Sequence, residues 1–270
     1  MMSNNQLAPE NSKVYSAWHP ILILTAIGFL TRISMPKWVG FSQQDVANAS
    51  RWFSLVGLLV GCFLGCCLWL LTPLFGQAIA VALTIIIGWR LTGGFHEDGL
   101  ADVCDGFWGA WQRDRKLEIM KDSQIGAYGV LALIGSFSLK LLILSQLPLM
   151  LAVFGLICSH TAGRAGVGCM PALLPYARVD GPSKTPQRKL IPSNSVLVIL
   201  VLIAAIPLCL FPINASFFLC CSWIIGFWLM FRLMKQHLQG YTGDTLGATE
   251  QVIEIVTLLT LVLLNNCGVL

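Results

Sequence analysis

WFSLVGLLVGCFLGCCLWLL, residues Trp52 to Leu71, runs for twenty residues without a charged side chain. A helix of that length rises about 30 Å, the thickness of a bilayer's hydrocarbon core. Comparable apolar runs follow at Leu74 to Trp89, Ala127 to Leu147, Leu149 to Gly168, Ser193 to Leu210, Phe217 to Phe231 and Gln251 to Leu264. One more precedes it at Trp18 to Thr31, short enough to be re-entrant. The 270 residues are 56% hydrophobic and 11% charged, with mean hydropathy +0.75. These runs predict an all-α fold, a polytopic transmembrane helix bundle of about seven to eight spans. The first seventeen residues read as a polar N-terminal tail and lack the basic-then-apolar design of a cleavable signal peptide.

The charges between the runs give the bundle two unlike ends. Connectors around Pro73, Pro148 and Pro212 hold no Lys or Arg, whereas the alternate connectors with their flanks hold fifteen of the seventeen, all but Lys13 and Lys140. The positive-inside rule assigns the basic end to the cytoplasm. Every acidic residue except Glu10 lies there too, so the ionisable chemistry is expected at one membrane face. Net charge is +4 and is spread over loops, which gives no footprint for nucleic acid. Of ten cysteines, Cys62, Cys66, Cys67, Cys158, Cys209, Cys220 and Cys221 sit in apolar runs as small hydrophobes, and no paired CxxC suggests zinc.

Against that background GGFHEDGLADVCDGFWG, Gly93 to Gly109, stands out. Asp98, Asp102 and Asp105 fall within about 40° of one another on a helix, and three converging carboxylates repel unless a cation sits between them. An isolated charge at the centre of a membrane helix costs about 2.5 to 3.5 kcal/mol on insertion scales, so the trio is expected to face water, a metal or a polar cavity. Glu97 to Gly109 is too short to cross a bilayer and predicts a short acidic-motif helix lining a cavity at the cytoplasmic boundary. Gly99 and Gly106 leave a strip free of side chains for a neighbouring helix or a ligand. Gly93 and Gly94 are expected to break the preceding helix and free backbone N–H groups for an anion.

Further polar segments follow. RDRKLEIMKDSQIGAYG contains Lys121 and Asp122 and reads as a mixed-charge helix with a glycine entry into the next span. GYTGDTLGATEQVIE sets Asp244 in a Gly/Thr-rich turn, with Glu250 and Glu254 one turn apart at the head of the last run, where acidic side chains favour the helix dipole. Arg164 follows Gly163 in an apolar stretch, so an acidic partner, a ligand or snorkelling to the interface is expected. Lys140 calls for a salt bridge or a substrate contact. There is no HExxH and no GxSxG, and His19, His96, His160 and His237 are scattered; only His96 abuts the acidic face, as a catalytic candidate. Together these features suggest a phosphorylated substrate held through a divalent metal by carboxylates, with Arg or Lys completing the clamp.

LTGGFHEDGLADVCDGFWG, LEIMKDSQIGAYGVLAL, LLPYAR at Leu173 to Arg178 and TGDTLGA at Thr242 to Ala248 resemble, in order and spacing, the adenosylcobinamide-GDP ribazoletransferases, or cobalamin synthases. The resemblance runs from the first span to the last. It implies one membrane-embedded catalytic domain over residues 18–270, multi-pass in the cell inner membrane, with its active site facing the cytoplasm. The implied reaction joins GDP-activated cobinamide to α-ribazole, or to its 5′-phosphate, and releases GMP, with Mg²⁺ or Mn²⁺ as cofactor. It makes Asp98, Asp102 and Asp105 the metal ligands and catalytic carboxylates. Asp105, Asp102 or His96 would accept the hydroxyl proton, and Lys121, Asp122, Arg164, Asp244, Gly94, Gly99 and Gly106 would bind substrate. It also allows a homo-oligomer, or association with other corrinoid-pathway enzymes. The loop VDGPSKTPQRKLIPSN, Val179 to Asn194, is basic and proline-rich where a shorter glycine-rich turn is expected. Two other classes share the acidic pattern. A CDP-alcohol phosphotransferase would continue DxxDGxxAR, which Phe107 to Gly109 break, and a cation or proton transporter would place its carboxylates near the bilayer midplane.

Overall fold

The computed structural model describes residues 19–178 and 194–270. Among the described residues are eleven α-helices, three short 3₁₀ turns and one isolated bridge, Tyr176 to Tyr241. The polar tail and the basic loop 179–193 lie outside them. In chain order the helices are α1 (Ile21–Leu30), α2 (Gln43–Ala49), α3 (Phe53–Phe75), α4 (Gln77–Thr92), α5 (Phe95–Gly109), α6 (Arg113–Ile119), α7 (Ala127–Gln146), α8 (Leu149–Cys169), α9 (Asn194–Ala205), α10 (Ile213–His237) and α11 (Gly243–Asn266).

The all-helical expectation holds, with five to six candidate membrane spans among the described residues. Five segments are long and apolar enough to cross a membrane: Gln44–Phe75, Ala127–Gln146, Leu149–Ala172, Ile213–His237 and Gly243–Asn266. The bent pair α4 and α5 makes six if counted as one. The other apolar runs form shorter helices, Ile21–Leu30 and Asn194–Leu210. Pro207, which has no N–H to donate, turns the end of the α9 run into a 3₁₀ segment, and α1 has only ten residues, about 15 Å.

Burial ranks the helices. Over an apolar eighteen-residue stretch of each, 67% of the α8 segment is buried against 22% of α10, so α8 is the axis and α10 a flank. α3 packs on α8 through Gly57, Gly61 and Gly65, spaced four apart; a Cβ on Gly61 would lie 2.6 Å from the Ile157 Cα. Close approach of this kind lets dispersion, rather than hydrophobic burial, hold helices together in lipid. Outward-facing Phe217, Ile224, Ile225 and Trp228 leave α10 with an apolar exterior suited to acyl chains.

The break that positions the acidic motif is the expected one. Gly93 (φ 85°) and Gly94 (φ 67°) both adopt the left-handed conformation that side chains disfavour, and α5 leaves α4 at 91°. α5 then lies across the ends of α7 and α11 instead of continuing through the bundle. The basic connectors meet at this same end. Arg32 N–H donates to the Leu91 carbonyl at 2.7 Å, Arg113 donates to the Ala177 and Leu238 carbonyls at 2.6 and 2.8 Å, and Lys116 Nζ lies 2.7 Å from His237 Nδ1.

Candidate active site

α5 and the head of α11 meet without room for side chains between them. A Cβ on Gly99 would lie 2.6 Å from the Asp244 carbonyl oxygen, and one on Gly247 would lie 3.1 Å from the His96 Cα. The helix strip predicted at Gly99 and Gly106 is therefore a packing surface; Gly106 abuts the Met120 side chain. α11 starts with a reciprocal cap, in which Thr242 N–H donates to Thr245 Oγ1 at 2.8 Å and Thr245 N–H donates to Thr242 Oγ1 at 3.2 Å. That cap leaves the Asp244 carboxylate available. It accepts from Arg178 Nη2 at 2.6 Å and from Thr242 Oγ1 at 3.2 Å.

Asp98 is exposed, Asp102 half-buried and Asp105 buried. The Asp102 carboxyl is pushed up to about 7, chiefly by burial and then by the like charges of Asp244 and Asp98; Arg178 opposes the shift and Asp105 adds least. Asp98, Asp102 and Asp244 thus form an acidic mouth whose cationic neighbour is Arg178. Asp105 faces the start of α7, where its two oxygens accept from the Gly126 and Gly129 N–H groups, each at 2.8 Å. A Cβ on either glycine would strike that carboxylate, so GAYG is shaped to fit it.

Arg178 also donates to the Met120 carbonyl at 3.2 Å, tying LLPYAR to the segment that carries Lys121 and Asp122. Both of those residues are exposed, and Asp122 accepts from the Gln124 N–H at 3.0 Å. The Tyr176–Tyr241 bridge, with Ala177 N–H on the Tyr241 carbonyl at 2.8 Å and Tyr241 N–H on the Pro175 carbonyl at 2.9 Å, draws LLPYAR against TGDTLGA. Motifs far apart in sequence thus converge on one mouth.

A second ionisable group lies inside the bundle. Arg164 has the acidic partner expected of it, Glu250, at 2.7 Å, and Lys140 forms a salt bridge with Glu254 at 2.5 Å and donates to Gln251 Oε1 at 2.8 Å. His160 pairs with Glu254, and His96, 2% exposed, places Nδ1 3.4 Å from Glu250. His96 therefore faces inward, away from Asp98. Among the described residues, His160, Glu250 and Glu254 are the group whose potential metal-ligand atoms lie within 4.8 Å of one another. Arg164 and Lys140 already neutralise those two carboxylates, which leaves little electrostatic demand for a dication. Glu250 and Glu254 act here as buried counterions and not as dipole caps, the role the Thr242–Thr245 pair fills. The signal for this was present, since two basic residues within apolar runs require acidic partners at the same depth. Arg178 is the mouth residue that sequence reasoning left without a role.

A family profile for cobalamin-5-phosphate synthase matches residues 22–262. An adenosylcobinamide-GDP ribazoletransferase from Shewanella amazonensis is 41% identical over 247 residues, covering 90% of this chain and 95% of that protein. One from Shewanella baltica is 40% identical over 257 residues, covering 93% and 97%. No solved structure matches. A helical membrane chain with these motifs gathered at one mouth, similar over nearly its full length to such proteins, belongs to the cobalamin-5-phosphate synthase family.

Proposed function

We propose that the chain joins GDP-activated cobinamide to α-ribazole, or to its 5′-phosphate, and releases GMP. Family membership supports the reaction, and the meeting of Asp98, Asp102 and Asp244 beside Arg178 is the observation that carries the site. An acceptor ribose hydroxyl must attack the phosphorus bearing cobinamide while GMP leaves, so negative charge builds on phosphoryl oxygens. Asp98, Asp102 and Asp244 would hold Mg²⁺, or Mn²⁺ in its place. The fit rests on their hard oxygen donors and on an Asp102 carboxyl raised chiefly by burial and then by the like charges of Asp244 and Asp98, which a cation would relieve. The ion, when bound, supplies neutralising charge to the diphosphate oxygens.

The remaining roles belong to the chain itself. Arg178 holds Asp244 in place and presents positive charge at the mouth, and Lys121, exposed on the adjoining segment, extends it towards the diphosphate. Asp105 fixes α5 on the start of α7 and so sets where Asp98 and Asp102 project. Enclosure of His96 leaves the mouth's aspartates to take the acceptor's proton. Neither a CDP-alcohol phosphotransferase nor a transporter is favoured, because the matched family covers most of the chain.

For topology, we place the mouth in the cytoplasm and the chain in the cell inner membrane. In the sequence fifteen of seventeen basic residues lie in or flank alternate connectors, and the connectors between them hold no Lys or Arg, so α3, α4, α7, α8, α9, α10 and α11 would alternate in direction between two unlike ends. That gives seven crossings, with α1 as a re-entrant or eighth segment. The test of function is to supply membranes carrying the protein with GDP-cobinamide, α-ribazole and Mg²⁺. Cobalamin and GMP are expected in equal amounts; neither appearing, where a Shewanella relative produces both, would overturn the reading.

A further inference from the structure

Beside the first turn of α5, α4 and α7 part to leave a cleft of about 310 Å³. Its walls are apolar: Ile85 and Trp89 on α4 face Leu133 and Phe137 on α7, with the Trp89 and Phe137 rings 5.5 Å apart and tilted by 46°. Its floor is polar and almost fully paired. Lys140 Nζ donates to Gln251 Oε1 at 2.8 Å, and Gln251 Nε2 donates to Glu97 Oε1 at 3.1 Å. Glu97 Oε2 is buried and has no hydrogen-bond partner. An unspent carboxylate oxygen at the base of an apolar slot is expensive to keep unless something donates to it.

We propose that this cleft receives the base of the acceptor nucleoside, and that it selects an apolar bicyclic base of the benzimidazole type over a purine. This rests on the reaction given under Proposed function. A benzimidazole riboside has one free ring nitrogen, basic enough to carry a proton and donate it to Glu97 Oε2, and an otherwise apolar outline for the Trp89 and Phe137 rings to contact. A purine brings further ring nitrogens and an exocyclic group, and Ile85, Leu133 and Phe137 offer those polar atoms nothing. Size agrees, since pockets for small ligands start at about 300 Å³. Position agrees too. Gly94 lines the cleft and Asp98, whose N–H donates to the Gly94 carbonyl at 2.9 Å, lies one turn further along the same face of α5. That is a rise of about 6 Å, the scale of the ribose that must separate a base from its reacting hydroxyl.

A lipid chain is the competing occupant, but it would leave Glu97 Oε2 unpaired. Steady-state assays on membranes separate the two. Leu133→Trp, which fills the slot, should raise KM for α-ribazole at least about 10-fold and leave KM for GDP-cobinamide within about 2-fold. Phe137→Leu, a milder change, should raise it about 3- to 10-fold. The unaltered protein should use α-ribazole in preference to the matching α-linked adenine riboside, and Glu97→Gln should narrow that preference. Binding of α-ribazole alone to protein in nanodiscs, read by titration calorimetry, should be present in the unaltered protein and absent in Leu133→Trp even if that variant turns over poorly. An acceptor KM that moves in neither variant, equal changes in both substrates' KM, or unchanged calorimetric binding would overturn the assignment. The same would follow if phospholipids with brominated chains quench Trp89 fluorescence and α-ribazole does not relieve it. Failure of the unaltered protein to form cobalamin and GMP would instead strike the reaction itself.

Discussion

The acidic mouth and the buried cluster use the same kinds of side chain to opposite ends. At the mouth three carboxylates, Asp98, Asp102 and Asp244, face one guanidinium, Arg178, in a partly open setting. In the bundle two carboxylates, Glu250 and Glu254, face two cations, Arg164 and Lys140, and all four side chains are 10% exposed or less. The first arrangement has negative charge left over, which is the ground for proposing that it takes a cation from solution. The second is balanced internally, and its Coulomb attraction, undiluted by water, ties α7, α8 and α11 together. On the proposed function, charge balance, more than residue type, separates the binding site from the architecture in this fold.

The comparison breaks first, and most visibly, at Arg164. Arg164→Leu leaves Glu250 buried without its close cation and should cost about 3–5 kcal/mol of stability, read by denaturant unfolding in detergent. Adding Glu250→Gln to that variant should recover much of the loss, because the orphaned charge goes with it. A single variant as stable as the unaltered protein would show that the cluster is not the internal tie described here.

At the mouth the sign of the effect reverses, with activity suffering and the fold persisting. Asp98→Asn and Asp102→Asn should each lower turnover at least about 100-fold, the scale of one lost preorganised electrostatic contact. Unfolding should stay within about 1 kcal/mol of the unaltered protein, since removing a like charge relieves repulsion. Near-normal turnover in both would move the chemistry elsewhere.

A gentler probe uses protons against metal. Asp102 carries a carboxyl raised to about 7, so it takes up a proton as pH falls through that value and then competes with a bound cation. Removal of metal with a chelator should stop turnover, and added Mg²⁺ should restore it. The Mg²⁺ concentration giving half-maximal rate should rise about 5-fold from pH 7 to pH 6. In the residual activity of Asp102→Asn that dependence should flatten; an equally steep one would assign the proton to another group.

How much of this was legible in the sequence follows the range of the forces involved. The helical fold, the Gly93–Gly94 break and the short acidic helix were readable because apolar run length and glycine conformation are local properties. The demand for a partner at Arg164 was readable too, but its identity was not, since Glu250 lies 86 residues away. The helix-face rule grouped Asp105 with Asp98 and Asp102 on angle alone; only the packing of α7 reveals that two backbone N–H groups meet its carboxylate. Asp244 and Arg178 join the mouth through the Tyr176–Tyr241 bridge, a pairing no periodicity encodes. Composition marks apolar runs but not where the helix within them stops, as at α1, with ten residues, and at the Pro207 end of α9.

The smallest expected effect is the control on all of these. Arg115 and Glu118 form an i,i+3 pair at 2.9 Å on α6, close in sequence to Lys121, but each side chain is 64% exposed. Water screens such a pair and ordering two long side chains offsets its attraction, so Arg115→Ala should change stability by less than about 0.5 kcal/mol. Turnover and the Mg²⁺ requirement should also stay put, because a solvated charge on α6 adds little field at a mouth held by Arg178. A several-fold rise in KM for GDP-cobinamide in Arg115→Ala would place α6 on the diphosphate's approach. The mouth would then extend beyond Lys121, and the line between charges that bind and charges that merely solvate would have to be redrawn along that helix.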